Sequence, residues 1–470
     1  MKQNNDFLGT EPIGKLLWKL SVPAIAAQIV NLLYNLVDRI YIGHMPGSGD
    51  LALTGVGVCM SVIMIVSAFS AFVSSGGAPR ASMAMGRGDQ DEAEKILGNS
   101  FSLQILISAV LTAILLLFNR PLLLAFGASE NTIGFATDYM NIYALGTIFV
   151  QLTLGMNAFI TAQGFATTGM LSVLIGAICN IILDPIFIYG FHLGVKGAAL
   201  ATIISQAAST IWILRFLTGR KTVLRIRRKN LRLEARVLLP SFTLGLSSFI
   251  MQASESVILV CFNSSLLKYG SDVAVGAMTI LSSVMQFSML PAQGLGQGAQ
   301  PITSYNFGAR NAGRVKKTFK LLLTATLGYT MAIWAMVMIF PQMFARIFVP
   351  NQELIEFTSW ALRIYCAGMG LFGAQVACQL TFTSIGNAKA SIMVAVMRKF
   401  ILLIPLIYML PRFLSNKTMG VYLAEPVADI ISVLFTAVLF YFQFRKELKE
   451  LEANINTYVP RNVEETNDRK

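Results

Sequence analysis

The sequence predicts an all-α integral membrane protein: twelve transmembrane helices in two pseudo-symmetric six-helix bundles. Three observations carry that prediction. Of 470 residues, 55% are hydrophobic and only 13% charged. The apolar residues gather into runs long enough to cross about 30 Å of hydrocarbon. Gly, Pro and Thr positions of the first half then return, in order, in the second.

In chain order the apolar runs predict spans over Leu16–Ile42, Leu51–Ser75, Ala93–Phe118, Phe135–Gly155, Thr167–Tyr189, Ala198–Leu217, Val237–Leu267, Val273–Gln297, Phe319–Phe340, Phe357–Phe382, Ser391–Leu410 and Val421–Phe444. The longest polar stretch between them, Thr218 to Arg236, is about 20 residues and too short for a soluble domain. The expected organisation is an N-terminal lead (1–15), an N-lobe (16–217), a basic linker (218–236), a C-lobe (237–446) and a tail (447–470). The first run is too long for the apolar region of a cleavable signal and reads as a retained helix. The charged tail reads as a short helical extension that fades into disorder.

The net charge of +13 is placed asymmetrically. With loops assigned alternately to the two sides, 29 Lys and Arg fall on one side, seven on the other, and Arg363 inside a span. The positive-inside bias then makes both termini and the linker cytoplasmic, in the plasma (inner) membrane of a bacterium. This distribution argues against a nucleic-acid partner. The five Cys all lie in apolar runs without CxxC spacing, as small core residues do. HExxH, GxSxG, Walker and paired-His motifs are absent, and the GLGQG run at Gly294 lacks the strand–helix context of a nucleotide site, so no enzyme and no organic cofactor is expected.

The internal duplication is tight. Gly76, Pro79 and Gly86 recur 222 positions later as Gly298, Pro301 and Gly308, and Thr161 and Gly164 recur at the same offset as Thr383 and Gly386. Other pairs drift with loop length: Pro23 with Pro240, Asp38 with Glu255, Gly55 with Gly276, Pro185 with Pro405, Gly197 with Gly420. Six helices per half is an even number, so the halves share orientation and a substrate path runs between them.

The halves differ where chemistry is expected. NIILDP, Asn180 to Pro185, corresponds to FILLIP, Phe400 to Pro405, so Asn180 and Asp184 become Phe400 and Ile404. An ionisable group at membrane depth is costly unless a partner, a cation or a proton neutralises it, which makes Asp184 a functional candidate. Asn180 and Asp184 share one helix face, and Pro185 frees a backbone carbonyl beside them. Asp38 on the first helix, kinked at Pro23, and the hydroxyl of Thr202 complete the group; an interfacial pair of Asp38 with Arg39 is the alternative. Asp38, Asn180, Asp184 and Thr202 supply only oxygen ligands, as a hard cation requires.

In the second half, Glu255 sits mid-span with Gln252 and Ser256 nearby, where an apolar cavity strengthens its pull on lipophilic cations. Interior charges read as mainly acidic, with Arg363 nearly alone. Glu425 and Asp429, one turn apart, are candidates to line the C-lobe cavity. Met251, Met285, Phe287 and Met289 are expected to face the interlobe cavity as adaptable walls. Aromatic faces at Tyr34, Phe287 and Phe372 can hold quaternary ammonium groups. Asn35, beside Tyr34, joins the cavity candidates, while Asp138 and Arg363 read as interfacial anchors.

Asn35 and Asp38 in the first helix, PRASMAMGRGD from Pro79, NIILDPIFIYGFHLGVKGAALAT from Asn180 and PITSYNFGAR from Pro301 resemble the multidrug and toxic compound extrusion (MATE) family, in its branch of bacterial multidrug exporters. The resemblance spans nearly the whole chain apart from the tail. It implies two bundles forming a V, alternating access, and efflux of lipophilic or cationic small molecules by antiport with Na+ or H+. It also implies a cation site at Asp38, Asn180, Asp184 and Thr202, the ligands of Na+ if sodium is the coupling ion. Some relatives use C-lobe acids. Glu255 is retained here, but YCAGMGLFGAQVACQ in the tenth helix has no second aspartate. The expected partners are small-molecule drugs, organic cations and membrane lipid, and the chain is read as a monomer. The rival reading is a lipid-linked oligosaccharide flippase of the same superfamily, which needs a strongly cationic cavity.

Overall fold

The computed structural model describes residues 7–47, 49–348 and 352–453. Twelve spans follow one another: α1 (Ile13–Gly43), α2 (Gly49–Gly86), α3 (Gln90–Leu117), α4 (Ile133–Leu145 continuing as Thr147–Ala162), α5 (Ala166–Gly190), α6 (Val195–Thr218), α7 (Ala235–Tyr269), α8 (Asp272–Gly308), α9 (Ala312–Ile339), α10 (Gln352–Tyr365 continuing as Met369–Ser384), α11 (Ala388–Phe413) and α12 (Lys417–Ala453). Each predicted run finds its helix. Most of the expected tail lies outside the described residues, although α12 carries helix through Ala453.

Lipid is the solvent of the outer faces. Only 17% of the most apolar window of α1 is buried inside the protein, and large apolar side chains such as Trp18, Leu117 and Phe413 stand exposed. In water such a surface would aggregate.

The duplication recurs as geometry. α4 bends by 59° at Gly146 and α10 by 49° around Gly368, its counterpart 222 positions on. Asp89 caps α3 by accepting from the amide of Glu92 (2.9 Å), and Asn311, again 222 later, caps α9 through the amide of Arg314 (3.1 Å). Gly164 and Gly386 both take positive φ, and Arg310 adopts at φ 57° the left-handed turn that Gly88 adopts at 78°.

α2 and α8 run well past their predicted ends at Ser75 and Gln297. Hydropathy faded there because the residues pack against the other lobe instead of lipid. A Cβ on Gly76 would overlap the carbonyl oxygen of Ser241, and one on Gly298 would lie 2.6 Å from the Cα of Ser21. Arg80 donates from Nη1 to the carbonyl of Val237 (2.6 Å) and to Oγ of Ser241 (2.7 Å). The linker after α6 is anchored too. Oε1 of buried Gln163 accepts from Thr222 Oγ1 and from the amides of Val223 and Leu224, all at 2.9 Å.

Candidate functional site

In the N-lobe, α1 and α5 bring three polar side chains into the apolar interior. Asp38 is 4% exposed, Asn180 1% and Asp184 0%. One helical turn separates Asn180 from Asp184, and the Asn180 amide donates to Oδ1 of Asp184 at 3.2 Å. Pro185 interrupts the α-helical ladder directly afterwards, and α5 finishes in a wide π turn over Ile186–Gly190. Asp38 meets Asp184 across the two helices within hydrogen-bonding reach. The alternative pairing does not form: among the described residues Asp38 makes no ion pair with Arg39.

Two carboxyl groups in contact repel unless a proton or a cation lies between them. No Lys or Arg among the described residues pairs with either. Oδ1 of Asp38, Oδ1 of Asn180 and Oδ2 of Asp184 are buried without a hydrogen-bond partner. A buried acceptor left unmatched costs about 1–3 kcal/mol. A small monovalent cation satisfies all three at once. The donor set is all oxygen, and no cluster of three or more His, Cys, Asp or Glu able to hold a metal occurs among the described residues, so a divalent or transition ion has less to bind.

Thr202 belongs to a second ring. Its hydroxyl donates to the carbonyl of Ala198 on its own helix (3.0 Å) and lies against Tyr139, which in turn lies near Asp38. Tyr139, 2% exposed and stacked on Tyr143, went unnoticed in the sequence because an aromatic in an apolar run carries no mark of a site. Tyr34 sits between Asn35 and the two aspartates. Asn35 donates to the carbonyl of Asn31 at 2.7 Å.

The C-lobe corrects several expectations. Its interior is not mainly acidic: Arg398 and Lys399, counted above with the basic loop before the eleventh helix, lie inside α11 and are buried at 6% and 3% exposure. Twenty-seven basic residues rather than 29 therefore remain on the basic side. Glu255 is no free carboxylate with Gln252 and Ser256 for company, because Lys399 Nζ bonds its Oε1 at 2.6 Å. Glu425 and Asp429 do not line a cavity either. Arg398 bonds Oε1 of Glu425 at 2.8 Å and Oδ1 of Asp429 at 2.9 Å, with every side chain at most 7% exposed. The guanidinium also covers the ring of Phe372 (4.6 Å to the centroid), so that aromatic face is taken.

Of the remaining cavity candidates, Gln252 is exposed, Met251 half-buried and Phe287 45% exposed. Met289 is 4% exposed and packs in the C-lobe core with Leu281 and Tyr365, because its face of α8 turns toward that core. Asp138 pairs with Lys196 at 3.5 Å on an exposed face, and exposed Arg363 donates to the carbonyl of Met338, as interfacial anchors do. The overlooked signal lay in VAVMRKFILLIP: two cations seven and eight residues inside a predicted span.

The model of the MatE family matches this chain twice, over residues 23–186 and 247–409. The multidrug export protein MepA of Staphylococcus haemolyticus is 23% identical over 443 residues, covering 94% of this chain and 96% of its own length. MepA of Staphylococcus aureus strain NCTC 8325 is 23% identical, covering 91% and 94%. Among solved structures, MATE in the bent conformation superposes with a TM-score of 0.89 at 22% identity, covering 97% of this chain and 99% of the other. The MATE multidrug transporter DinF-BH, solved in complex with a drug, reaches 0.87 at 34% identity, covering 94% and 98%. The chain belongs to the MatE family, and it is a multi-pass membrane protein with the twelve-helix MATE fold.

Proposed function

We propose that this protein is a secondary active multidrug exporter that trades one monovalent cation, Na+ or H+, for lipophilic or cationic small molecules by alternating access. One observation carries the reading: Asp38, Asn180 and Asp184 converge at membrane depth with three unmatched oxygens and no internal cation. Binding the ion removes the repulsion between the carboxylates and draws α1 onto α5. Releasing it frees α1, which Pro23 allows to bend. The MepA relatives and the DinF-BH complex support drugs as the cargo class.

Tyr34, Asn35, Met251, Gln252, Glu255 and Phe287 are the cavity residues in this reading, and Thr202 supports the ion site through Tyr139. The N-lobe spans 16–217, the basic linker 218–236 and the C-lobe 237–446. Both termini are cytoplasmic in the bacterial plasma membrane, and the monomer is the working unit. A pyrophosphate-binding flippase is less well supported, because three carboxylates surround the two buried C-lobe cations and leave no basic cavity.

The test is ethidium efflux from cells and proteoliposomes. Asp184→Asn is expected to reach the membrane folded and to lose ion-driven efflux, whereas Ile404→Asn, at the matching position of the C-lobe, keeps coupling. Efflux retained in Asp184→Asn overturns the proposal. Imposing a sodium gradient at clamped pH, and a proton gradient without sodium, identifies the ion.

A further inference from the structure

Asp38 on α1 and Glu255 on α7 are counterparts across the duplication, and so are α5 and α11. Each carboxylate faces its lobe's partner helix at the same level. From α5 the N-lobe carboxylate meets a second carboxylate, Asp184. From α11 the C-lobe carboxylate meets Lys399, one residue before Phe400, which stands where Asn180 stands in the N-lobe.

The local backbone explains how a lysine reaches this position. Residues Met397–Leu403 form a π turn just before Pro405, whose missing amide frees a carbonyl one turn upstream. The wide turn directs both Arg398 and Lys399 inward, where an all-apolar face would otherwise continue. Arg398 is saturated by Glu425, Asp429 and the face of Phe372, which leaves Lys399 as the cation for Glu255.

We infer that Lys399 is a tethered counter-ion that permanently fills the C-lobe equivalent of the ion position, confining the exchangeable cation to the N-lobe and setting one ion per transport cycle. Its ammonium is 4% exposed and tied to the chain, so it does not leave during the cycle. The Glu255 side chain is 49% open; a carboxylate at this depth does not face lipid, so its open side looks into the interlobe cleft. The ion pair also joins α7 to α11, so the C-lobe holds its shape while ion binding reshapes the N-lobe. Removing the ammonium exposes a latent site of the same type as the first.

This inference rests on the N-lobe reading above, and its test separates the two. Purified protein in lipid nanodiscs is assayed for radiolabelled Na+ binding at alkaline pH. Proton binding is followed by infrared detection of protonated carboxyl groups across a pH series. The expected pattern is one ion equivalent in wild type, none in Asp184→Asn, and one regained in Asp184→Asn/Lys399→Gln. Lys399→Arg should match wild type, and Glu255→Gln should keep the full equivalent. Failure of Asp184→Asn to lose the ion sinks the N-lobe reading alone. The tethered counter-ion is overturned if Glu255→Gln loses an ion equivalent, or if folded Asp184→Asn/Lys399→Gln gains neither Na+ nor a titrating carboxyl. Should Lys399→Gln fail to fold, the Glu255→Gln arm decides by itself.

Discussion

Gly86 and Gly308 lie at reciprocal crossings of the two lobes: a Cβ on Gly86 would overlap the carbonyl oxygen of Tyr305, and one on Gly308 would overlap that of Met83, 222 residues before Tyr305. The pseudo-two-fold relation is therefore close enough to place one backbone contact twice. Both crossings hold α2 against α8 at one end of the molecule, and alternating access requires them to part.

Gly86→Ala or Gly308→Ala should destabilise this closed arrangement by about 1–3 kcal/mol, because the added methyl meets backbone instead of a movable side chain. Spin labels on α2 and α8 in a Cys-free background are expected to report a longer interlobe distance, with slower efflux. Unchanged distances in both variants would show that the crossing does not govern closure.

Removing Arg398 alone leaves Glu425 and Asp429 buried without a counter-ion. Arg398→Met is expected to lower stability by about 3–5 kcal/mol, and Arg398→Met/Glu425→Gln/Asp429→Asn to recover most of it. Thermal unfolding in detergent measures both. A triple variant no more stable than the single one would count against the ion cluster as the cause.

Two neighbours on α8 should behave differently. Met289→Ala removes a core side chain and should cost about 2–5 kcal/mol with the drug profile unchanged. Phe287→Ala, at an exposed position, should alter relative resistance to different drugs with little change in unfolding temperature. Paired resistance profiles and melting curves check the contrast, and identical behaviour of the two variants refutes it.

Gln163 gathers three donors from the start of the linker. Gln163→Leu leaves them unmatched and should release the segment, so trypsin cleaves among Lys221, Arg225 and Arg227 several-fold faster than in wild type. An unchanged cleavage rate would mean that the Arg227–Glu94 pair (2.6 Å) suffices to hold the linker.

Span number, order and duplication were legible from the chain because each depends on local composition and on a repeat that one sequence contains whole. Asn180 and Asp184 were legible as well, since i and i+4 on one helix share a face whatever surrounds them. Only the tertiary structure decided which partners the charges take. Glu255 looked like Asp38, yet one meets a lysine from α11 and the other an aspartate from α5. It also turned Met289 into the core and gave Phe372 to Arg398. The physical reason is that burial sets the need for a counter-charge, while helix packing and one π turn choose the side chain that supplies it; neither is written in the spacing of a single helix.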